Sequence, residues 1–181
     1  IDGDIEYSTT TFVTTESSRL DKDNPIGTHY LVADSSSYGH MFTPEQKESL
    51  KSLVQEESKK SEETVLYFRA VAKNKSSVPR YAWFRTLRPG SGWWEKIKYS
   101  YDRSTGLSSY SAERVFGVSR LNGNPLPDEE IALLLQPGEE AVFEFRIPHK
   151  PISGERAMKL ASLSFDEKLN ECKEFWNAKL Q

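Results

Sequence analysis

Short β-type segments separated by turn signals dominate the sequence between residues 64 and 148. The segments are rich in Val, Ile, Tyr, Phe and Thr, and the sequence between them contains Gly, Pro and Asn, as in NKSSVPR, LNGNPLP and QPGEE. No helical pattern alternates with these segments, so a parallel sheet with crossover helices is excluded. Together with similar segments at 5–15 and 28–33, the spacing predicts a mainly β chain, an antiparallel β-sandwich of roughly seven to nine strands.

The segments also suggest particular strand pairs. TVLYFRAVA and YAWFRTL, joined by NKSSVPR, are predicted to form a hairpin or a strand pair from one sheet. The stretch 97–121 is predicted to form two strands joined near Ser104 to Gly106. In AVFEFRIP the apolar residues Ala141, Phe143, Phe145 and Ile147 alternate with Val142, Glu144 and Arg146. We therefore expect one buried face and one mostly solvated face in this last strand.

Two regions have helical rather than strand periodicity. Thr43 is a predicted N-cap, with Pro44 at the first helical position and Gln46 three residues after the cap. This pattern predicts one short surface helix over about residues 43–60, inserted in a sandwich domain at 1–150. Residues 151–181 are predicted to form C-terminal linker helices that lead toward a further domain.

The last eighteen residues, SFDEKLNECKEFWNAKLQ, have the pattern of one amphipathic helix. Ser164 and Glu167 form a predicted capping box. Burying the apolar stripe of this helix would contribute on the order of 6 to 12 kcal/mol before entropy, so the helix must dock on something. It either closes a face of its own sandwich or carries a partner domain. The predicted docking face consists of Phe165, Leu169, Cys172, Trp176 and Leu180.

Composition and charge exclude several classes of partner. The formal charge is −3, and the 24 basic residues are scattered rather than clustered, so we expect no nucleic-acid partner. No apolar run reaches the roughly 18 residues of a membrane span, and the first residues lack the pattern of a signal peptide. The absence of an initiator Met suggests a processed secreted protein or an excised domain; we expect a periplasmic or secreted location and leave a cytoplasmic one open. Cys172 is the single cysteine, so an internal disulfide is impossible.

The end of the sequence resembles a known architecture. From LQPGEEAVFEFRIPHKPISGERAMKL through FDEKLNECKEFWNAKL, it is similar to the end of the N-terminal, supersandwich-like β-sandwich domain of large bacterial glycosidases with an (α/α)6 toroid. The paired core strands of that sandwich resemble the segment from Tyr81 to Leu87. The resemblance implies a sugar-processing parent protein, a C-terminal helical toroid in the same polypeptide as partner, and catalytic carboxylates outside this chain. The sandwich would serve as a scaffold, and could lend a loop to the sugar site.

No catalytic constellation is predicted from the residues themselves. The acidic candidates lie in predicted turns or helix ends, where solvation explains them: Glu62, Glu63, Asp128 to Glu130, Glu139 and Glu140. The three histidines lack metal-binding spacing, and neither a GxSxG elbow nor a phosphate-binding glycine loop occurs. We therefore expect no catalytic residue, metal or cofactor in this chain. Cys172, on the apolar stripe, is expected to be a buried small hydrophobe.

One aromatic cluster is a candidate for oligosaccharide binding or for interdomain packing. Trp93 and Trp94 follow GSG, and adjacent residues of a regular strand cannot both face one core. The candidates are Trp93, Trp94, Tyr99, Tyr101 and Arg88. Three functions thus stay open: a non-catalytic domain of a carbohydrate-active enzyme, a free-standing carbohydrate-binding module, or a structural or adhesion sandwich whose last helix packs on its own sheet.

Overall fold

The computed structural model describes residues 3–20, 43–46, 48, 62–89 and 98–180. Strands and helices within these ranges are numbered in chain order. The strands are β1 (Ile5–Thr15), β2 (Thr64–Asn74), β3 (Arg80–Arg85), β4 (Ser100–Asp102), β5 (Leu107–Ser111), β6 (Arg114–Leu121), β7 (Asn124–Pro125), β8 (Glu130–Leu135) and β9 (Glu140–Pro148), and the helices that follow them are α1 (Gly154–Ser162) and α2 (Phe165–Leu180).

The strands form two antiparallel sheets. The large sheet has the order β1-β2-β9-β6-β5-β4, with β7 paired to β6, and the small sheet contains β3 and β8. The small sheet packs on one face of the large sheet, and α1 and α2 pack on the other. The predicted class, a mainly β antiparallel sandwich with C-terminal helices, is confirmed.

Alternation along β2 places its side chains in two separate cores. Ala70 and Ala72 face the small sheet, where they pack with Phe84 and Phe143. Val65 and Tyr67 have the opposite parity and face the helices. The large sheet is therefore covered on both faces.

The prediction that β2 and β3 pair in one sheet is wrong. Among the described residues, β2 pairs with β1 and β9, whereas β3 pairs with β8. Ala82 and Phe84 of β3 are buried against the large sheet, and the Phe84 ring stacks on Phe143. These apolar positions hold β3 above the large sheet, so the intervening turn carries the chain from one layer of the sandwich to the other.

The stretch 97–121 contains three strands rather than the predicted two. The turn near Ser104 to Gly106 is present, but a second turn at Ala112 and Glu113 separates β5 from β6. Sequence patterns miss this second turn because it contains no Gly, Pro or Asn. In the first turn Gly106 has a φ of +76°, and an added Cβ would lie 2.3 Å from the Ser119 carbonyl oxygen.

The prediction of a solvated face on β9 is also wrong. Glu144 and Arg146 are 9% and 2% exposed, because α1 and the start of α2 cover this face of the sheet. The two charges are tolerated there because each is hydrogen-bonded: Glu144 accepts from Arg69, and Arg146 donates to backbone carbonyls of the helical segment.

The predicted helix starts are confirmed where the structure describes them. The Thr43 hydroxyl accepts from the Gln46 N–H, and the Gln46 side chain accepts from the Thr43 N–H. Residues 44–46 and 48 are helical, and the rest of the predicted 43–60 helix lies outside the described residues, as does the predicted strand at 28–33. The Ser164 hydroxyl accepts from the Glu167 N–H at the start of α2. Within the described ranges, no helix is both long and apolar enough to cross a bilayer.

Candidate functional site: the closing helix and the outer face of the small sheet

The first half of α2 is anchored on the sandwich. Phe165 is 3% exposed and its ring lies 5.1 Å from that of Phe12, edge to face. The Arg69 guanidinium lies 4.0 Å from the centre of the Phe165 ring and also pairs with Asp166 at 2.7 Å. These contacts combine burial, ring packing and a cation–π interaction at one point. The N-terminus of α2 is therefore joined to β1 and β2, at one side of the large sheet.

Lys168 and Cys172 continue this anchored half. Lys168 is 5% exposed, and its ammonium group donates to the Ser18 carbonyl at 2.9 Å, just beyond the end of β1. Cys172 is buried beside β1, and burial raises the pKa of its thiol. A buried thiol of raised pKa is a poor nucleophile at neutral pH, consistent with the expected role as a small hydrophobe.

The second half of α2 extends into solvent. Trp176 is 51% exposed and Leu180 is 82% exposed, although both belong to the predicted apolar stripe. The half-buried Phe175 packs edge to face on Trp176, with ring centres 5.2 Å apart. Of the predicted docking face, Phe165 and Cys172 are buried and Leu169 packs against the core, whereas Trp176 and Leu180 are mostly exposed. The helix is anchored at one end and presents apolar side chains at the other.

A buried arginine holds the segment between α1 and α2. The Arg146 guanidinium donates to the carbonyls of Leu160, Ala161 and Leu163 at distances of 2.5 to 2.8 Å. Arg120 donates to Ala161 as well, at 2.8 Å. The last carbonyls of a helix lack intrahelical donors and carry partial negative charge, so cations are stabilising there. These arginines thus have a structural role, because their donors are directed at the helix end.

The predicted sugar-binding cluster is only partly described. Trp93 and Trp94 lie outside the described residues. The Tyr99 ring packs edge to face on Phe116, with ring centres 6.0 Å apart. Tyr101 packs against the core between the sheets and donates its hydroxyl to the Leu126 carbonyl, and burial raises its pKa to about 12. Tyr101 therefore has a core role, whereas Tyr99 lies near Glu129 and Arg88.

Arg88, the remaining candidate, lies beside a different aromatic surface. Its guanidinium is 3.7 Å from a carboxylate oxygen of Glu130, and the other oxygen of Glu130 accepts a 3.0 Å hydrogen bond from the Trp83 indole. Trp83 and Tyr81 project from the outer face of β3 and are 53% and 67% exposed. The sequence signal for this surface lies in YAWFRTL, where the aromatic residues Tyr81 and Trp83 alternate with the inward-facing Ala82 and Phe84.

Three of the acidic candidates, Glu62, Glu139 and Glu140, have local structural partners. Glu62 accepts from the backbone N–H groups of Ser17 and Ser18. Burial opposes a lower pKa for Glu62, but its bonds to Ser18 and Ser17 outweigh burial and lower it. Glu140 pairs with Lys73 at 2.5 Å, and Glu139 accepts from the Gln136 N–H. No group of three or more potential metal ligands occurs among the residues described. These contacts explain Glu62, Glu139 and Glu140 by local structure. Burial raises the pKa of Glu63, and one buried oxygen of Glu129 has no hydrogen-bond partner among the described residues.

Comparison with family models, curated proteins and solved structures gives no match to this chain. Its function is therefore argued from its own contacts and exposed surfaces.

Proposed function

We propose that this chain is a non-catalytic β-sandwich domain of a carbohydrate-active enzyme, in which α2 supports a helical catalytic domain of the glycoside hydrolase class. The observation that supports this role is the division of α2 into an anchored and an exposed half. An amphipathic helix that only closed its own sandwich would bury its whole stripe, whereas Trp176 and Leu180 are 51% and 82% exposed.

The anchored half makes α2 a suitable support. Phe165 and Lys168 are at most 5% exposed, and Arg69 links Asp166 to Glu144 of the central strand β9. The position of the exposed half is thus set by the sheet rather than by a loop. A partner domain packed on Trp176 and Leu180 would be held in a defined orientation relative to the sandwich.

The contacts of Glu62 and Glu140 support a scaffold role for these two carboxylates, because their partners are backbone N–H groups and a cation of the sandwich itself. In this proposal the general acid and base of the parent enzyme belong to the helical domain. The parent protein is expected to release reducing sugar from a glycan, and this chain alone is expected to release none.

The test compares hydrogen–deuterium exchange of this chain alone with that of the parent polypeptide. Amides of residues 173–180 should exchange more slowly in the parent, because the helical domain covers them, whereas amides of residues 165–172 should be unchanged. Trp176→Asp should restore fast exchange at 173–180. Val78→Asp is the matched control, because Val78 is 42% exposed on a turn of the sandwich distant in sequence from α2.

A parent reading frame without helical hairpins after Gln181, or equal exchange at 173–180 in both proteins, would refute the scaffold role. A free-standing carbohydrate-binding module is the second candidate function, and the exposed aromatic side chains of β3 favour it. A structural or adhesion sandwich with no ligand would show neither protection of α2 nor sugar binding.

A further inference from the structure

The outer face of the small sheet forms a flat aromatic surface. Its residues alternate with the buried positions of the two strands and are paired across them: Tyr81 lies opposite Leu134, Trp83 opposite Ala132, and Arg85 opposite Glu130. We call these six residues the platform. One end of the platform is aromatic and aliphatic, and the other end is charged.

The Trp83 ring is held in place within the platform. Its indole N–H donates to Glu130 at 3.0 Å, although Trp83 is paired in the sheet with Ala132 and not with Glu130. The indole must therefore extend across to β8 beside Ala132, whose methyl group is too small to cover it. Because Trp83 is still 53% exposed, the ring is fixed by the protein and open to solvent. A ligand that stacks on it needs little further ordering of the side chain.

Hydrogen-bonding groups lie next to the aromatic rings. Glu130 uses one carboxylate oxygen for Trp83, and the other oxygen lies 3.7 Å from Arg88. A carboxylate has about four acceptor positions, so Glu130 can also accept from a ligand hydroxyl. Arg85, across from Glu130, brings guanidinium donors to the same end. The platform thus combines flat apolar surfaces with both donors and acceptors.

We propose that the platform binds a neutral oligosaccharide or polysaccharide chain. A pyranose ring has an apolar face of C–H groups that can stack on an aromatic ring, and its hydroxyls act as donors and acceptors. Tyr81 and Trp83 are two residues apart on one face of a strand, about 7 Å, so the two rings can contact neighbouring sugars of one chain. Glu130 balances one of the two arginine charges at this end, so the described residues offer no cluster of unpaired cations to select a phosphate.

A protein partner fits this surface less well. A stable interface buries roughly 800 Å² on each partner, whereas an aromatic side chain presents only about 150 to 250 Å². Tyr81 and Trp83 are partly covered, and Leu134 is 43% exposed. The apolar part of the platform is therefore too small for a second copy or another folded domain, but large enough for two or three sugar rings.

This site is separate from the surface presented by α2. The platform faces away from the large sheet on the side of the small sheet, whereas α2 packs on the opposite face. Sugar binding by the platform does not require a helical domain on α2. The two proposals can accordingly succeed or fail independently.

The test is native affinity electrophoresis of this chain in gels that contain hydroxyethylcellulose, xylan, galactomannan or amylopectin, followed by calorimetry with oligosaccharides of the polymer that retards it. We expect retardation by at least one polymer. Trp83→Ala and Tyr81→Ala should each weaken binding about tenfold or more, whereas Trp83→Phe should retain part of it. Trp176→Ala is the matched control, because Trp176 is about as exposed as Trp83 but lies on α2.

Glu130 provides a second set of variants that leave both rings in place. Glu130→Gln keeps an acceptor for the indole and should keep more affinity than Glu130→Leu, which releases the Trp83 ring. Unchanged circular dichroism of each variant shows that the sheet is intact. Retardation by none of the four polymers, binding that Trp83→Ala leaves unchanged, or Trp83-dependent self-association in sedimentation without sugar would each overturn the proposal.

Discussion

Replacing Arg146 with methionine should lower the free energy of unfolding by about 3 kcal/mol. The Arg146 side chain is 3% exposed, and its guanidinium donates to two backbone carbonyls in the last turn of α1 and to one just after it. Methionine keeps most of the apolar stem but supplies no donor, so the loss reports on the hydrogen bonds rather than on a cavity. The size of this loss of unfolding free energy depends on which other donors each of the three carbonyls keeps.

Two of the three carbonyls keep a second donor. The Ala161 carbonyl still accepts from Arg120 at 2.8 Å, and the Leu160 carbonyl still accepts from the Leu163 N–H at 3.3 Å. The Leu163 carbonyl has no such second donor among the described contacts, and a buried unsatisfied acceptor costs about 1 to 3 kcal/mol. The loss at Leu163 and the weaker bonding at the other two carbonyls together give the figure of about 3 kcal/mol.

Glu144 keeps a cationic partner in Arg146→Met, which limits the loss of unfolding free energy. It lies 3.5 Å from Arg146 but also accepts from Arg69 at 2.7 and 3.0 Å, so it is not left as an unpaired buried charge. Breaking a buried pair outright would cost about 3 to 5 kcal/mol, and the expected value lies at the low end of that range. Arg146→Lys should cost less than Arg146→Met, because an ammonium group can reach some but not all of the carbonyls.

The assay is equilibrium unfolding in urea followed by far-ultraviolet circular dichroism, with an unchanged dependence on denaturant as the check that both states are comparable. The control is Arg19→Met, which removes the Arg19–Glu174 pair on the surface, where the side chains are 68% and 66% exposed. That control should cost less than about 1 kcal/mol. A loss for Arg146→Met no larger than that of the control would refute the reasoning.

Three further predictions concern α2, a turn and the acid range. Phe165→Ala should cost about 3 to 5 kcal/mol in urea unfolding because the side chain is 3% exposed, whereas Trp176→Ala should cost less than about 1 kcal/mol. Gly106→Ala should destabilise the chain more than Gly123→Ala, because both have positive φ but only at Gly106 would the added Cβ meet a carbonyl oxygen, at 2.3 Å. The hydrogen bond from Arg69 lowers the pKa of Asp166 below its ordinary value of 3.8, so Asp166→Asn should reduce stability at neutral pH, and by progressively less as the pH falls below 3.8.

Each of these has a result that would contradict it. Equal losses for Phe165→Ala and Trp176→Ala would mean that α2 is docked along its whole length. Equal losses of stability for the two glycine variants would mean that β6, which carries the Ser119 carbonyl, shifts to accommodate the added Cβ. A carboxylate whose pKa is depressed by folding stabilises the folded state above its unfolded-state pKa, and this stabilisation is lost as the pH falls through its folded-state pKa. A constant effect of Asp166→Asn between pH 7 and pH 2.5 would therefore exclude the ion pair as the cause of the effect.

The two proposed surfaces lie on opposite sides of the large sheet. The helices cover one face, and the small sheet with its platform covers the other. A helical domain on α2 would therefore leave Trp83 and Tyr81 accessible. In a glycoside hydrolase, this arrangement would let the sandwich hold a glycan chain and support the catalytic domain at the same time.

Local patterns in the sequence determined the fold class, the helix starts at Thr43 and Ser164, and the turn near Gly106. Strand alternation and capping depend on residues a few positions apart, so they can be read from short stretches. The same patterns identified the apolar stripe of α2. The sequence also shows that Tyr81 and Trp83 alternate with Ala82 and Phe84, but it does not show which of the two sets is buried.

Only the tertiary structure decided how these elements cover one another. β3 pairs with β8 rather than β2, because Ala82 and Phe84 are buried against residues of β9 far along the chain. Arg146 is buried because α1 directs its last carbonyls at that face of β9. Trp83 and Trp176 keep about half of their surface exposed, because the described residues around them cover only part of each ring. Burial and pairing are set by contacts between distant segments, and the sequence of one segment does not specify which other segment will lie against it.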